Sequence, residues 1–208
     1  MSQTNSIHMG HGQIVDIAPR GANAWEVIFS EAGVNEYKAP APADIKVEAI
    51  DAEGRVHPLS VEPGGSVSSV IAAGFAAGAR RARVMVMHGD HFHTREALLP
   101  GQADLAAEKG PGGGSLVRFS GGAVEAKLIA MDTFELSFGG APAPAPGDVV
   151  MQAVGPRAED FQIRNLAITP GGRPQTLLAT GKVKDATHLR LSLKSGAASE
   201  VRTAAVIR

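Results

Sequence analysis

The 208-residue chain contains no cysteine, which removes disulfides, thiolate zinc sites and cysteine nucleophiles together. Aromatics are scarce, with seven Phe, one Trp and one Tyr, too few for the exposed ring platforms on which sugars or bases stack. Neither sign of charge dominates: 20 Lys and Arg stand against 21 Asp and Glu. The densest basic group, Arg80, Arg81 and Arg83, is too short to follow a phosphate backbone, so nucleic acid is not an expected partner. No run of about 18 apolar residues occurs, so no membrane insertion is expected. The opening MSQTNSIHMGHG lacks the basic and apolar regions of a signal peptide, leaving the compartment unknown. The missing cysteines tilt the expectation slightly toward a periplasmic or secreted setting. There is no G-x-S-x-G elbow, P-loop or dinucleotide fingerprint.

Hydrophobic residues make up 44% of the chain, enough for packed cores. The sequence also repeats itself. APAPADIKVEAI (Ala39 to Ile50) returns as APAPGDVVMQAV (Ala143 to Val154), and LSVEPGGSVSSVIAAG (Leu59 to Gly74) returns as LAITPGGRPQTLLATG (Leu166 to Gly181). Val84 and Val86 then fall on Leu191 and Leu193, and Arg95 on Arg202. Three blocks in one order, sharing a PAP-x-D and a PGG signal, indicate a tandem duplication. Between the copies lies PGQADLAAEKGPGGGS (Pro100 to Ser115), whose glycines suit neither helix nor strand and read as a linker. The expected division is a first domain over 10–103, a linker over 104–113 and a second domain over 114–208.

Within each copy apolar residues alternate. Trp25, Val27 and Phe29 do so, as do Ile45, Val47 and Ala49, and in the second copy Phe134, Leu136 and Phe138. A period of two means strands with one buried face. PRGAN, SEAGVNEY, DAEG, EPGG and AAGA supply the turns between them. The expected fold is all-β: two tandem duplicated β-sandwich or small β-barrel domains. The expected core comprises Val15, Trp25, Val27, Ile45, Val47, Val61 and Ile71, then Val117, Phe134, Leu136, Val149, Leu166, Ile168 and Leu177. SVSSVIAAGFAAGARR has helical spacing, but its counterpart RPQTLLATGKVKDATH reads as a hairpin around Thr180-Gly181-Lys182. The hairpin is taken for both copies, since duplicated units share a fold.

The chemically loaded stretch is MVMHGDHFHTRE, Met85 to Glu96, with three of the seven histidines inside six positions. The duplication provides a control: His88, His91 and His93 fall on Ser195, Ala198 and Glu200, so the scaffold does not need them. His91 and His93 stand at i and i+2, on one face of a strand, and Gly89-Asp90 is a turn able to bring His88 to the same ion. Neutral imidazoles suit copper, zinc or nickel. Asp90 and Glu96 are candidate carboxylates, as ligands or as acceptors behind the imidazoles. A second group, His8 and His11, lies near the N-terminus, where Met9 adds a thioether; Met85 and Met87 read as core. His57 and His188 read as ordinary satisfied histidines.

The run HFHTREALLPG is similar to the cupin motif, a strand H-x-H followed by a glutamate and then a glycine. Here Glu96 and Gly101 both come earlier than that motif places them, and its second half is absent. HGDHFH is similar to the metallo-β-lactamase H-x-H-x-D-H, with the order changed. No family is assigned on these residues. The expected function is transition-metal binding for carriage, buffering or sensing, with a protein partner possible. The alternatives are a structural or interaction protein of two β-sandwich domains, and a metal-dependent enzyme with Glu96 as base.

Overall fold

The computed structural model describes residues 5–155 and 163–208. Its described residues form two compact units, which divide between Asp104 and Leu105. The first holds β1 (Asn5–Gly10), β2 (Gln13–Pro19), β3 (Ala24–Glu31), β4 (Ile45–Ile50), β5 (Val56–Pro63), β6 (Ser69–Ala73), β7 (Arg81–His88) and β8 (His91–Leu98). The second holds β9 (Ser115–Phe119), β10 (Gly122–Ala130), β11 (Thr133–Ser137), β12 (Val149–Val154), β13 (Ile163–Pro170), β14 (Thr176–Thr180), β15 (His188–Ser195) and β16 (Ala198–Ala205). Among the described residues no helix is long and apolar enough to cross a membrane.

Strand order in the first unit is β1-β2-β3-β6-β5-β4-β7-β8, and the second unit has the same order in its own strands, from β9 to β16. All pairings are antiparallel. The β3-β6-β5-β4 portion is a Greek key: three hairpin-linked strands beside a fourth reached by a long connection. In that connection Pro42 opens a single 3-10 turn, Pro42–Asp44, which Pro146–Asp148 repeats. Proline at this first position has its φ already set and has no amide proton to lose. This is the physical content of the repeated PAP-x-D.

Each unit has its own core, fed by the inward face of every strand. In the first, Val15, Ile17, Trp25, Val27, Phe29, Ile45, Val47 and Val84 are buried together, and in the second Val117, Val124, Phe134, Leu136, Val149, Met151, Leu177 and Leu191. A fully buried side chain of this kind contributes about 1.5–3 kcal/mol. Val61 and Ile168 are only partly buried against these cores. The expected core residue Ile71 is not inward-facing: Val70 and Ala72 are buried and Ile71 lies between them. Helical spacing had grouped Val70 with Ile71, whereas a strand must separate them. Met85 and Met87 are likewise half-exposed beside buried Val84 and Val86, while Met9 is fully buried in the core.

The hairpin of this segment is formed with the preceding strand. β5 pairs with β6 and β13 with β14, so PGG marks the reversal. The Gly64 amide donates to the Ser69 carbonyl and the Gly171 amide to the Thr176 carbonyl, both at 2.9 Å. After β6 and β14 the chain does not fold back: Gly74 donates to Asn23 O at 2.9 Å and Gly181 to Asp132 O at 2.8 Å. These bonds tie the exits to neighbouring turns and direct the chain across to β7 and β15.

The glycine-rich segment is also more ordered than a linker. The Glu125 carboxylate accepts from the Gly112 amide at 2.9 Å and the Gly114 amide at 2.7 Å. A Cβ at Gly114 would lie 2.6 Å from Ala126 O. These glycines permit close packing on the second unit, which composition alone cannot distinguish from flexibility.

Both sheets curl until their end strands meet, β1 against β8 and β9 against β16. In the second unit side chains bridge this seam. The Glu200 carboxylate accepts from the Ser120 amide at 2.9 Å and from the Ser120 hydroxyl at 2.6 Å, and Arg202 Nε donates to Arg118 O at 3.0 Å. Burial works to raise the Glu200 pKa, but the two Ser120 bonds and Arg202 outweigh it and hold it below the ordinary 4.5.

Two outcomes follow for stability. Gly64→Ala and Gly171→Ala would put a Cβ 2.6 Å from Ser69 O and 2.8 Å from Thr176 O, and each is expected to destabilise by about 1–3 kcal/mol in urea unfolding. Gly65→Ala and Gly172→Ala meet nothing within 4 Å and should stay within about 0.5 kcal/mol of the parent. A lowered carboxylate pKa contributes stability above the unfolded value that is lost as pH falls through the folded one. The stability difference between parent and Glu200→Gln, present at pH 7, should therefore close below about pH 4.5; thermal melting against pH checks it.

Candidate metal centre

The β7–β8 hairpin is an uninterrupted ladder in which Val86 pairs with His93 and His88 with His91 across the Gly89-Asp90 turn. Gly89 takes the left-handed φ of 64° that the tight reversal needs. The β1–β2 hairpin turns at His11-Gly12, also left-handed, with φ of 52° and 82°. Because β1 lies against β8, the two hairpin tips meet.

Four imidazoles gather there. Ring centres are 5.0 Å apart for His88 and His93, 5.1 Å for His91 and His93, and 6.2 Å for His88 and His91. His11 joins them at 5.7 Å from both His88 and His93. Imidazoles bound at about 2.0–2.1 Å to a tetrahedral ion have their nitrogens about 3.3 Å apart and their ring centres about 5.2 Å apart. The observed spacings fall around that value. Among the described residues, however, no three His, Asp or Glu side chains already have their donor atoms arranged to hold an ion. The rings are spaced as ligands, but their nitrogens do not all turn inward. For His11, His88 and His91, which are exposed, a ring rotation is a fast and inexpensive adjustment.

One pair is already set. His91 Nδ1 lies 3.0 Å from Asp90 Oδ1, and that hydrogen bond is the main reason the Asp90 pKa lies below 3.8. An ionised carboxylate only accepts, so Nδ1 of His91 carries the proton. The His93 ring is hydrogen-bonded to the Met9 backbone, where the available acceptor is the carbonyl. Its Nε2 faces His91 Nε2 at 3.2 Å. With its proton on Nδ1, His91 turns an Nε2 lone pair toward His93. A hydrogen bond from His93 Nε2 or a cation can fill that lone pair. Burial first, then the nearby His88 and His91, hold His93 below its usual 6.5 against the opposing Met9 bond, which favours the neutral, ligating form.

The other expected residues lie elsewhere. Glu96 is buried, and its carboxylate accepts from Arg81 Nε at 2.9 Å, while Arg81 also donates to Asp104 at 2.8 Å. Glu96 is three positions from His93 on β8 and so points to the other face, where it can act neither as a ligand nor as a base over the imidazoles. His8 is exposed on β1 between buried Ile7 and Met9, on the face opposite the core, and no ring contact joins it to the four among the described residues. Met9 is core rather than thioether donor. His57 bonds Asp51 at 2.9 Å and packs on Phe75, and buried His188 bonds Thr187 at 3.0 Å.

No family model and no curated protein matches this sequence. Among solved structures, S. aureus TarS aligns at 7% identity with a TM-score of 0.24, over 96% of this chain and 39% of that one. The S. aureus TarS 217-571 chain aligns at 7% identity with a TM-score of 0.25, over 95% and 70%. This chain therefore spans well under half the length of the first. Likeness at that level carries no conclusion about function, which rests on the imidazole geometry.

Glu96→Gln removes one carboxylate from Arg81 and leaves it paired with Asp104. Loss of a buried hydrogen bond to a charged group costs about 1.5–3 kcal/mol. The variant should melt well below the parent in calorimetry, while its folded fraction titrates with metal unchanged.

Proposed function

We propose that the first unit binds a transition metal ion, copper, zinc or nickel, through His88, His91 and His93, in metal carriage, buffering or sensing. What carries the reading is the His91–His93 pair, in which Asp90 holds the His91 proton on Nδ1 and the two Nε2 atoms lie 3.2 Å apart. A bound ion takes both Nε2 atoms as donors. His88 supplies the third donor. Asp90 acts from behind His91, fixing its tautomer and raising its basicity. The second unit retains the fold with Ser195, Ala198 and Glu200 in the paired positions, so the imidazoles answer to a ligand and not to the scaffold.

The second reading, a pair of β-domains that engages a protein partner, is favoured by the tip of the β10–β11 hairpin. There Leu128, Ile129 and Met131 are exposed, Met131 by 83%.

Calorimetric titration with copper(II), zinc and nickel at pH 7.5 tests the proposal. Loss of one of three ligands opens the site, so His91→Ala and His93→Ala should each weaken binding by more than the roughly 10- to 100-fold of an outer-residue change. His57→Ala and His188→Ala should leave it unchanged. Binding should weaken as pH falls below about 6.5, where protons compete for imidazole. A His91/His93 double variant that binds all three metals like the parent would discard the metal reading in favour of the second.

A further inference from the structure

The two units are copies, and their seams can be compared residue by residue. Gly10 pairs with Gln13 across the His11-Gly12 turn, and Phe119 pairs with Gly122 across the Ser120-Gly121 turn. His11 therefore occupies the position of Ser120. On the facing hairpin Val86 pairs with His93 and Leu193 with Glu200, so His93 occupies the position of Glu200. In the second unit these two positions are joined directly, Ser120 donating twice to Glu200 across the seam. In the first unit the same two positions hold imidazoles whose centres are 5.7 Å apart, close to the spacing of two rings on one ion, about 5.2 Å.

We infer that the metal ion is the seam clasp of the first unit, with His11 as fourth ligand, and that it takes the place of the Ser120–Glu200 hydrogen bonds of the second. The inference rests on the metal reading above and adds what the ion does. Three ligands come from β7 and β8 and one from the β1–β2 turn, so coordination ties the first strand of the sheet to the last. His11 adopts a left-handed φ of 52°, the one such non-glycine residue among those described. That conformation is uncommon outside glycine, although histidine and asparagine are enriched in it. It places the ring over His88 and His93. Four neutral nitrogens satisfy a tetrahedral ion and leave no open position for substrate, which is the coordination of a structural site rather than a catalytic one. Binding then holds the first unit closed, and release frees the edges of β1 and β8.

The test uses the full-length protein and whichever of zinc, nickel and copper(II) binds the parent most tightly. Metal is titrated into the parent, His11→Asn and His91→Ala. Backbone hydrogen exchange is followed by mass spectrometry in peptides from β1, β8, β9 and β16, with and without metal. Asparagine tolerates the left-handed turn, so His11→Asn removes the imidazole without straining the backbone. The expected result is an affinity loss in His11→Asn of more than about 100-fold, beyond the range of an outer-residue change. Metal should also slow exchange in β1 and β8 of the parent but not of His11→Asn, with β9 and β16 unaffected. Affinity that survives His91→Ala overturns the metal reading itself. Affinity lost in His91→Ala but kept in His11→Asn, with β1 unprotected, overturns the clasp alone. A double variant, His11→Ser with His93→Glu, copies the second unit's pair and should protect β1 without metal. Should His11→Asn not fold, the parent alone decides: a bound metal that leaves β1 exchange unchanged overturns the clasp.

Discussion

Everything in each unit depends on where its first and last strands meet. An eight-stranded antiparallel sheet that stopped short of itself would present two rows of unpaired amides and carbonyls, open to other chains. Curling β1 toward β8 and β9 toward β16 brings those edges together and places the β1–β2 and β7–β8 hairpin tips side by side. The imidazole group is a product of this closure. Residues 77 positions apart, His11 and His88, become neighbours only because the sheet returns to its starting edge.

Duplication explains why the same place carries different chemistry in the two halves. The core alternation of β3 and β11, the PAP turn and the PGG reversal answer to packing, and both copies keep them. The seam answers to whatever closes it. Glu200 and Ser120 solve that with a charge-assisted hydrogen bond, whose strength comes from a carboxylate held ionised by its donors and by Arg202. Among the described residues no hydrogen bond joins His93 to His11, whose ring centres lie 5.7 Å apart. If the proposed ion binds, the first unit is the half whose stability depends on it.

Much of the architecture was legible in the sequence. Alternation found Trp25, Val27, Phe134 and Leu136, and the repeated blocks gave the common topology. Ile71 was misplaced because the four adjacent apolar residues Val70 to Ala73 fit a helix as well as a strand, and only pairing with Glu62 and Glu26 fixes its direction. The glycine run was misread because close approach and flexibility select the same residue. At the site, His88, His91 and His93 could be grouped by spacing, since they share one hairpin. His11 was visible only as a separate N-terminal histidine; its membership depends on a strand pairing across the whole unit. The available signal was Gly10-His11-Gly12 as a two-residue turn aligned with Ser120-Gly121. Glu96 was misassigned because proximity along the chain outweighed the strand's two-residue period.

Glu125 has a consequence beyond packing. Successive backbone amides of a glycine-rich turn commonly form a nest for phosphate or another anion. Here the amides of Gly112 and Gly114 already embrace an anion, and the anion is the protein's own side chain. The GPGGG sequence is thus a self-occupied anion cradle. Nucleotides and phosphate esters would have to displace a tethered carboxylate of very high local concentration, so the most phosphate-like loop in the chain is closed to them.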